Sequence, residues 1–312
     1  MPRQARIKIH DAPAAYHAWN AAACRKGEYP LAAPYVREQF FRLLKFYLSI
    51  YYCKLAAHQL MGNHFHLVLC FDAPRLLSQN ELMSRAKLLY PYDKSIETWP
   101  DKRWEALEKR LFDISKFMGN FEQAFSTWYN RIHSRKGHFW AGRYKSSILG
   151  GPQSLLDAVT YVELNAVRAG LVARPEDYVG GSLFLREAGE DGWLMPLKEL
   201  LPDAQLTGEA LHARLKELCY YRGAVITRSG QRPISDEVIK AEKARGFKKR
   251  GVFRKKWRCF TDGLVLGSEL YVRNQLLKLR MAGRYVRRKN PVKQLEGSLF
   301  SLREQRANFV ET

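Results

Sequence analysis

Apolar positions change their period along this chain, and the changes mark out its elements. In PYVREQFFRLLKFYLSIYY (34–52), Phe40, Leu43, Leu44, Tyr47 and Ile50 recur at helical spacing behind Pro34, which suits a helix start. CKLAAHQLM (53–61) and HFHLVLCF (64–71) read as strands separated by the tight break Gly62-Asn63, and AAYHAWNAAAC (14–24) reads as an earlier strand. The segment 90–110 is polar and charged and reads as an insertion. Beyond it Ile114, Met118, Phe121, Phe125, Trp128 and Ile132 step by 4, 3, 4, 3 and 4, which predicts a long amphipathic helix. RKGHFWAGRYKSSIL (135–149) returns to strand character, and Gly150-Gly151-Pro152 is a break that reads equally as a hinge or an ordinary loop. A helix is predicted over 154–169, with Ser154 and Asp157 in capping-box spacing and Gly170 as its stop. Helix followed by strand, turn and strand predicts an α+β fold, an antiparallel sheet with helices on one face.

Two of these elements carry chemistry on a second face. Alternation along 64–71 sends Phe65, Leu67, Leu69 and Phe71 to a core, and His64, His66, Val68 and Cys70 to the other side. Two neutral imidazoles one strand repeat apart can chelate a divalent metal, although two histidines at this spacing, taken alone, are more often unrelated to metal. Val68 stands where an HxHxD zinc hydrolase needs an acid, so any third ligand comes from another element. At 100° per residue, the 154–169 helix puts Leu155, Ala158, Val159, Val162, Ala166 and Ala169 on one arc. Asp157, Tyr161, Asn165 and Arg168 fall on the adjoining one, with Leu164 at its edge. That second arc is either a solvated face or a phenol nucleophile with an amide one turn later. Tyr129 and Tyr144 are rival phenols, read as packing or DNA-touching residues; His58 reads as structural or solvent-facing, and Asn63 as a turn former.

Charge narrows the partner. The 312 residues carry 52 Lys+Arg against 31 Asp+Glu, a net +21, which points to a polyanion, nucleic acid before membrane. Residues 240–293 hold 18 of these cations and 3 acids, so +15 of the excess lies there, in KKRGVFRKKWRCF (248–260) and RMAGRYVRRKNPVK (280–293). Lys248, Lys249, Arg250, Arg254, Lys255, Lys256, Trp257, Arg287, Arg288 and Lys289 are the expected DNA-binding residues of this segment, with aromatic rings for stacking on unpaired bases. Arg143, Lys145 and Arg168 are expected to hold phosphates nearer the chemistry. The five cysteines form no CxxC pair and fit a reducing cytoplasm, with Cys53 and Cys70, in apolar segments, read as buried thiols. MPRQARIKIH has no apolar signal core, and no apolar run is long enough to span a membrane.

In combination these motifs resemble a known family. MGNHFHLVL (61–69) resembles the His–hydrophobic–His motif of HUH single-tyrosine, single-strand DNA transposases. GHFWAGRYKSSIL (137–149), TYVELNAVRAGLV (160–172) and RPEDYVGGSL (174–183) are similar to the REP-associated tyrosine transposase branch, in the same order over about residues 5–185. Ala166, where that branch commonly has proline, and the opening text YHAWNAAAC depart from its pattern. The resemblance implies a ferredoxin-like or RRM-like HUH nuclease core over 1–185, a helical connector over 186–230, and a basic, mainly helical nucleic-acid-binding region over 231–312. It implies Tyr161 as nucleophile, His64, His66 and Asn165 as ligands of Mg²⁺ or Mn²⁺, and single-stranded or hairpin DNA as partner, with no nucleotide cofactor. The implied activity is endonuclease and strand transferase through a 5′-phosphotyrosine, in a cytoplasmic, nucleoid-associated protein. A domesticated hairpin binder that does not cut, and an RNA-processing metallo-phosphodiesterase, stand as alternatives. Relatives include monomers and dimers, so the oligomeric state stays open.

Overall fold

The segments on either side of Gly62-Asn63 pair antiparallel as a hairpin, β2 (Cys53–Leu60) against β3 (His64–Phe71). The computed structural model describes residues 6–201, 206–224, 231–244, 263–283, 290–293 and 299–303. β1 (Ala14–Ala21) pairs with the other edge of β3, and β4 (Lys145–Gly150) pairs antiparallel with β1. α1 (Pro34–Ile50) joins β1 to β2, and α2 (Gln79–Leu89), α3 (Asp101–Leu111) and α4 (Ile114–Ile132) lie between β3 and β4. The strand order β2-β3-β1-β4 is that of a split β-α-β unit, so the ferredoxin-like expectation holds.

Helices cover both faces of the sheet, not one. On the first face Phe65, Leu67 and Leu69 meet Phe40 of α1 and Phe117, Phe121 and Phe125 of α4 in a core with little exposed surface. On the second face Val68 packs with Val159 and Val162 of α5 (Pro152–Glu163) and with Leu215 and Leu218 of α9 (Gly208–Gly223). The periodicity of 64–71 showed one apolar stripe, and Val68 alone does not reveal that the histidine side is also covered. The 90–110 segment, polar and charged in sequence, also contributes to the interior: Trp99, Trp104 and Leu107 are buried in the first core.

α6 (Asn165–Arg168) continues α5 after a break at Leu164, and α7 (Ser182–Glu187), α8 (Leu197–Leu200), α9 (Gly208–Gly223) and α10 (Asp236–Ala244) follow. β5 (Gly263–Gly267) then pairs parallel with β4. α11 (Glu269–Met281), β6 (Val292–Lys293) and β7 (Phe300–Arg303) complete a seven-stranded sheet of order β2-β3-β1-β4-β5-β7-β6. The region from 231 on, expected as mainly helical, therefore lends strands to the same sheet. No helix among the described residues is long and apolar enough to cross a membrane.

The ends of the α5–α6 segment show which local signals hold. Gly170 is left-handed at φ 73°, with Gly170 N–H bonded to Val167 O at 2.8 Å and Leu171 N–H to Ala166 O at 3.0 Å, the expected C-terminal stop. The N-terminus lies earlier than the Ser154–Asp157 spacing suggests. Pro152 occupies the first turn behind Gly151 at φ 103°, and the Ser154 hydroxyl donates to Gly151 O at 2.9 Å instead of capping an amide.

Candidate active site

Strand register assembles the site. His66 stands opposite Trp19, and Val68 opposite His17, so His17 of β1 is the diagonal neighbour of His66 across the ladder. His17 Nε2 lies 2.9 Å from His66 Nδ1, and the His17 ring stacks on Trp19 at 5.0 Å. The His64 and His66 rings stand 5.3 Å apart at 88°. His64 is half-buried, and its Nδ1 meets Asn63 Oδ1 at 2.7 Å. Burial lowers the His64 pKa from its ordinary value; burial, with help from the His17 and His64 rings, holds His66 well below it. Both rings are therefore neutral at physiological pH and carry a lone pair each.

α5 delivers the phenol. The Tyr161 ring lies edge-on to His66 at 5.9 Å and to His17 at 5.6 Å, and the residue is buried. The structure thus brings Tyr161 to the histidine face. The rival phenols are elsewhere: Tyr129, on α4 itself, and Tyr144 belong to the first core, on the other side of the sheet. Tyr129 stacks on His133 at 4.0 Å, and Tyr144 lies under the Arg6 guanidinium at 3.6 Å. His58 is fully buried beside Trp193, with Nδ1 at 3.2 Å from Gly180 O, and burial lowers its pKa to about 3; it is a structural residue.

The polar arc of the 154–169 segment is not solvated. Arg168, expected to hold phosphate at the surface, is buried with its guanidinium 5.7 Å from the Tyr161 ring centroid. Burial lowers its pKa to about 10, which leaves it charged at neutral pH. α9 covers this side of α5, which is why the wheel's polar sector faces protein. Asn165 is half-buried, and its Nδ2 donates to the carbonyls of Tyr161 and Val162 at 3.3 Å each, across the Leu164 break. That orientation leaves Oδ1 as the amide's remaining polar atom.

The residues fit a divalent cation in part. The neighbouring neutral rings of His64 and His66 are nitrogen donors of the kind a divalent cation accepts, and the Asn165 amide oxygen is a donor of the right type. Among the described residues no three His, Cys, Asp or Glu side chains form a metal-holding group.

Two anchors hold the Tyr161 helix. Arg222 of α9 donates to Asp157 and to Thr160 Oγ1 in the interior. On the next turn Glu163 is fully buried and accepts from Ser182 Oγ and, at 3.1 Å, from the Leu183 amide. Gly150, half of the suggested hinge, pairs with Gly267, and the place a Cβ would take is filled by the Tyr271 ring at 2.1 Å. Packing of this kind makes Gly150 a fitted contact, not a swivel.

A basic rim borders the start of β3. Ala22 N–H bonds Asn63 O at 2.8 Å, Leu31 N–H bonds Gly62 O at 2.8 Å, and Ala23 N–H bonds Phe139 O at 2.7 Å. These ties set the loop after β1 and the loop before β4 beside His64. Arg25, Lys26, Arg131, Arg135, Lys136, Arg143 and Lys145 are all exposed on the two loops and their borders, with Glu28 the one acid in 22–31 and 131–145. Arg143 precedes β4 instead of sharing a strand face with Lys145, because residues 139–144 run as a loop that buries Phe139 and Trp140. The expected contacts Lys248, Lys249, Arg250, Arg254, Lys255, Lys256, Trp257, Arg287, Arg288 and Lys289 lie outside the described residues.

His17, Trp19, Arg222 and the first loop's cations were not singled out in the sequence. His17 and Trp19 did share strand parity, but only the β1–β3 register shows which residues they face.

No protein-family model matches the chain, and no curated protein matches it either. Among solved structures, the chain is similar to that of a REP-associated tyrosine transposase bound to a REP hairpin, at 12% identity and TM-score 0.39, over 60% of this chain and 86% of that one. This is a distant likeness that assigns no residue a role.

Proposed function

We propose that the chain is a metal-dependent single-strand DNA endonuclease and strand transferase that works next to hairpins, with Tyr161 as its nucleophile. The observation that carries the reading is the meeting of Tyr161 from α5 with His66 and His17 from the sheet, in a buried polar cluster. A free phenol has a pKa near 10 and is a poor nucleophile at neutral pH, so the site has to favour its ionised form. The buried Arg168 guanidinium, 5.7 Å from the ring centroid, puts a positive charge beside the phenol where negative charge would develop.

His64, His66 and Asn165 would hold the divalent cation, Mg²⁺ or Mn²⁺. When bound, the cation supplies Lewis acidity to a non-bridging oxygen of the scissile phosphate. The Tyr161 oxygen attacks phosphorus, losing its proton to solvent. The bond from phosphorus to the 3′-oxygen breaks, and that oxygen leaves as a 3′-hydroxyl once protonated. The protein keeps the 5′-phosphate as a tyrosine ester. A second 3′-hydroxyl attacking this ester reverses the step and joins strands, with no nucleotide consumed.

Half-buried Trp19, opposite His66 on one side and Lys145 on the other, offers ring surface to an unpaired base beside the phosphate. The basic rim takes the flanking backbone. Labelled single-stranded hairpin DNA incubated with the protein and Mn²⁺, then run on a denaturing gel, tests the reading. A protein–DNA adduct that disappears in Tyr161→Phe is expected. Binding without any adduct would leave a hairpin-binding protein, and cleavage without an adduct would point to a phosphodiesterase.

A further inference from the structure

Both imidazoles of the proposed metal pair are engaged through the same ring nitrogen. His64 Nδ1 lies 2.7 Å from Asn63 Oδ1, and His66 Nδ1 lies 2.9 Å from His17 Nε2. An amide oxygen only accepts, so the His64 proton sits on Nδ1 and the lone pair on Nε2. The His66 contact allows two arrangements. If His17 donates, its proton occupies Nε2, His66 Nδ1 accepts, and the neutral His66 ring carries its own proton on Nε2, with no lone pair left there. If His66 donates, its Nε2 is a ligand atom and His17 is the Nδ1–H tautomer.

We infer that Asn63 and His17 are positioning residues that set His64 and His66 as matched Nε2 donors, His17 accepting the His66 proton. The inference rests on the metal role proposed for the His64–His66 pair, and it gives work to two residues that role does not use. The geometry suits a fixed support. His17 is fully buried, stacked on Trp19, and met edge-on by Tyr161, so its ring is held on more than one side. Asn63 occupies the turn of the β2–β3 hairpin, where its own carbonyl accepts from Ala22 N–H at 2.8 Å. The turn and the neighbouring strand therefore each orient one ring. Outer hydrogen bonds of this kind raise ligand basicity and fix ring direction, and losing one typically costs about 10–100-fold in metal affinity.

Two measurements on the full chain test this. Long-range ¹H–¹⁵N correlation spectra of the metal-free protein report the tautomers directly. Nδ1–H forms for both His64 and His66 are expected; an Nε2–H form at His66 overturns the inference whatever the protein binds. Mn²⁺ affinity, followed by the electron paramagnetic resonance of the free ion, supplies the second readout, with melting curves for each variant. His17→Phe and Asn63→Ala are expected to weaken Mn²⁺ binding by about 10–100-fold. His17→Gln and Asn63→Asp, which keep an accepting oxygen, should stay near wild type. Should His17→Phe not fold, the His66 tautomer decides the His17 role, and the contrast between Asn63→Ala and Asn63→Asp decides the Asn63 role.

The two levels of failure separate cleanly. If His66→Ala abolishes binding while His17→Phe and Asn63→Ala bind like wild type, the positioning roles are wrong and the ligand pair stands. If wild type takes up no Mn²⁺, or His64→Ala and His66→Ala bind it unchanged, the ligand reading fails and this inference falls with it.

Discussion

Asp157 of α5 and Arg222 of α9 form an ion pair in the protein interior, with side chains 1% and 3% exposed. Burial raises the Asp157 pKa while the Arg222 charge pulls it back, so the carboxylate depends on its partner. The pair ties the helix that carries Tyr161 to a segment 65 residues further along the chain. Arg222→Met should cost about 3–5 kcal/mol in chemical denaturation, because a buried carboxylate is left without its cation. The double change Asp157→Leu with Arg222→Met should recover most of that loss. A double variant as unstable as the single one would show that the pair matters for more than charge compensation.

The Arg168 guanidinium over the Tyr161 ring makes a kinetic prediction. Arg168→Gln should slow adduct formation in single-turnover assays by about 10-fold or more, as expected for loss of charge stabilisation near a developing anion. Hairpin affinity should stay near wild type, because the side chain is buried and not presented to DNA. A large loss of affinity with an unchanged rate would return Arg168 to the phosphate-binding role.

Glu163 supplies a stability prediction that depends on pH. Burial raises its pKa from 4.5 to about 7, despite the hydrogen bonds from Ser182 and Leu183. Below pH 4.5 the folded and unfolded states are both protonated and the group is neutral to stability. From pH 4.5 to about 7 the unfolded chain ionises while the folded one keeps its proton, so stability falls as pH rises. Above that window the loss is constant. Glu163→Gln should flatten the slope and raise Tm at pH 7.5 by about 2–6 °C, with little change near pH 4.5. Calorimetry across the window checks the sign.

The rim beside His64 predicts salt behaviour. Replacing Arg25, Lys26, Arg135 and Lys136 with serine should weaken hairpin binding and make the dependence of log K on log salt shallower by about 2–3, near 0.7 per lost phosphate contact on single strands. Titrations at several salt concentrations measure it. An unchanged slope would place the phosphate contacts elsewhere, the 248–257 and 287–289 cations being the first alternative.

Gly150 should tolerate no side chain. A Cβ there would meet the Tyr271 ring at 2.1 Å, so Gly150→Ala should lower Tm, and adding Tyr271→Ala should restore part of it. Gly151→Ala meets no atom within 4 Å but is strained at φ 103°, with an expected cost of about 1–2 kcal/mol. Rescue of Gly150→Ala, but not of Gly151→Ala, by the tyrosine change would separate packing from backbone strain.

Much of the architecture was legible in residue order. The two-residue period of 64–71, the 4-3-4 steps of 114–132 and the glycine stop at 170 are local signals, set by backbone sterics and by which side chains share a face. They predicted the hairpin, the long helix and the end of the α5–α6 segment, and they put His64, His66 and Tyr161 on faces away from the main apolar stripes. What local pattern cannot carry is the identity of a neighbour. The polar arc of Asp157, Tyr161 and Arg168 reads like a solvated face until α9 arrives from far along the chain to bury it. His17 reads as one more strand residue until the antiparallel register sets it diagonally against His66. The strands after 263 extend the first sheet through a parallel contact between β4 and β5, a pairing that no turn signal announces. Sequence alone therefore determined the elements and the side chains with chemistry to offer, because those depend on neighbours within a turn or a strand repeat. Tertiary structure decided which of them meet, because burial and register are set by segments distant in the chain.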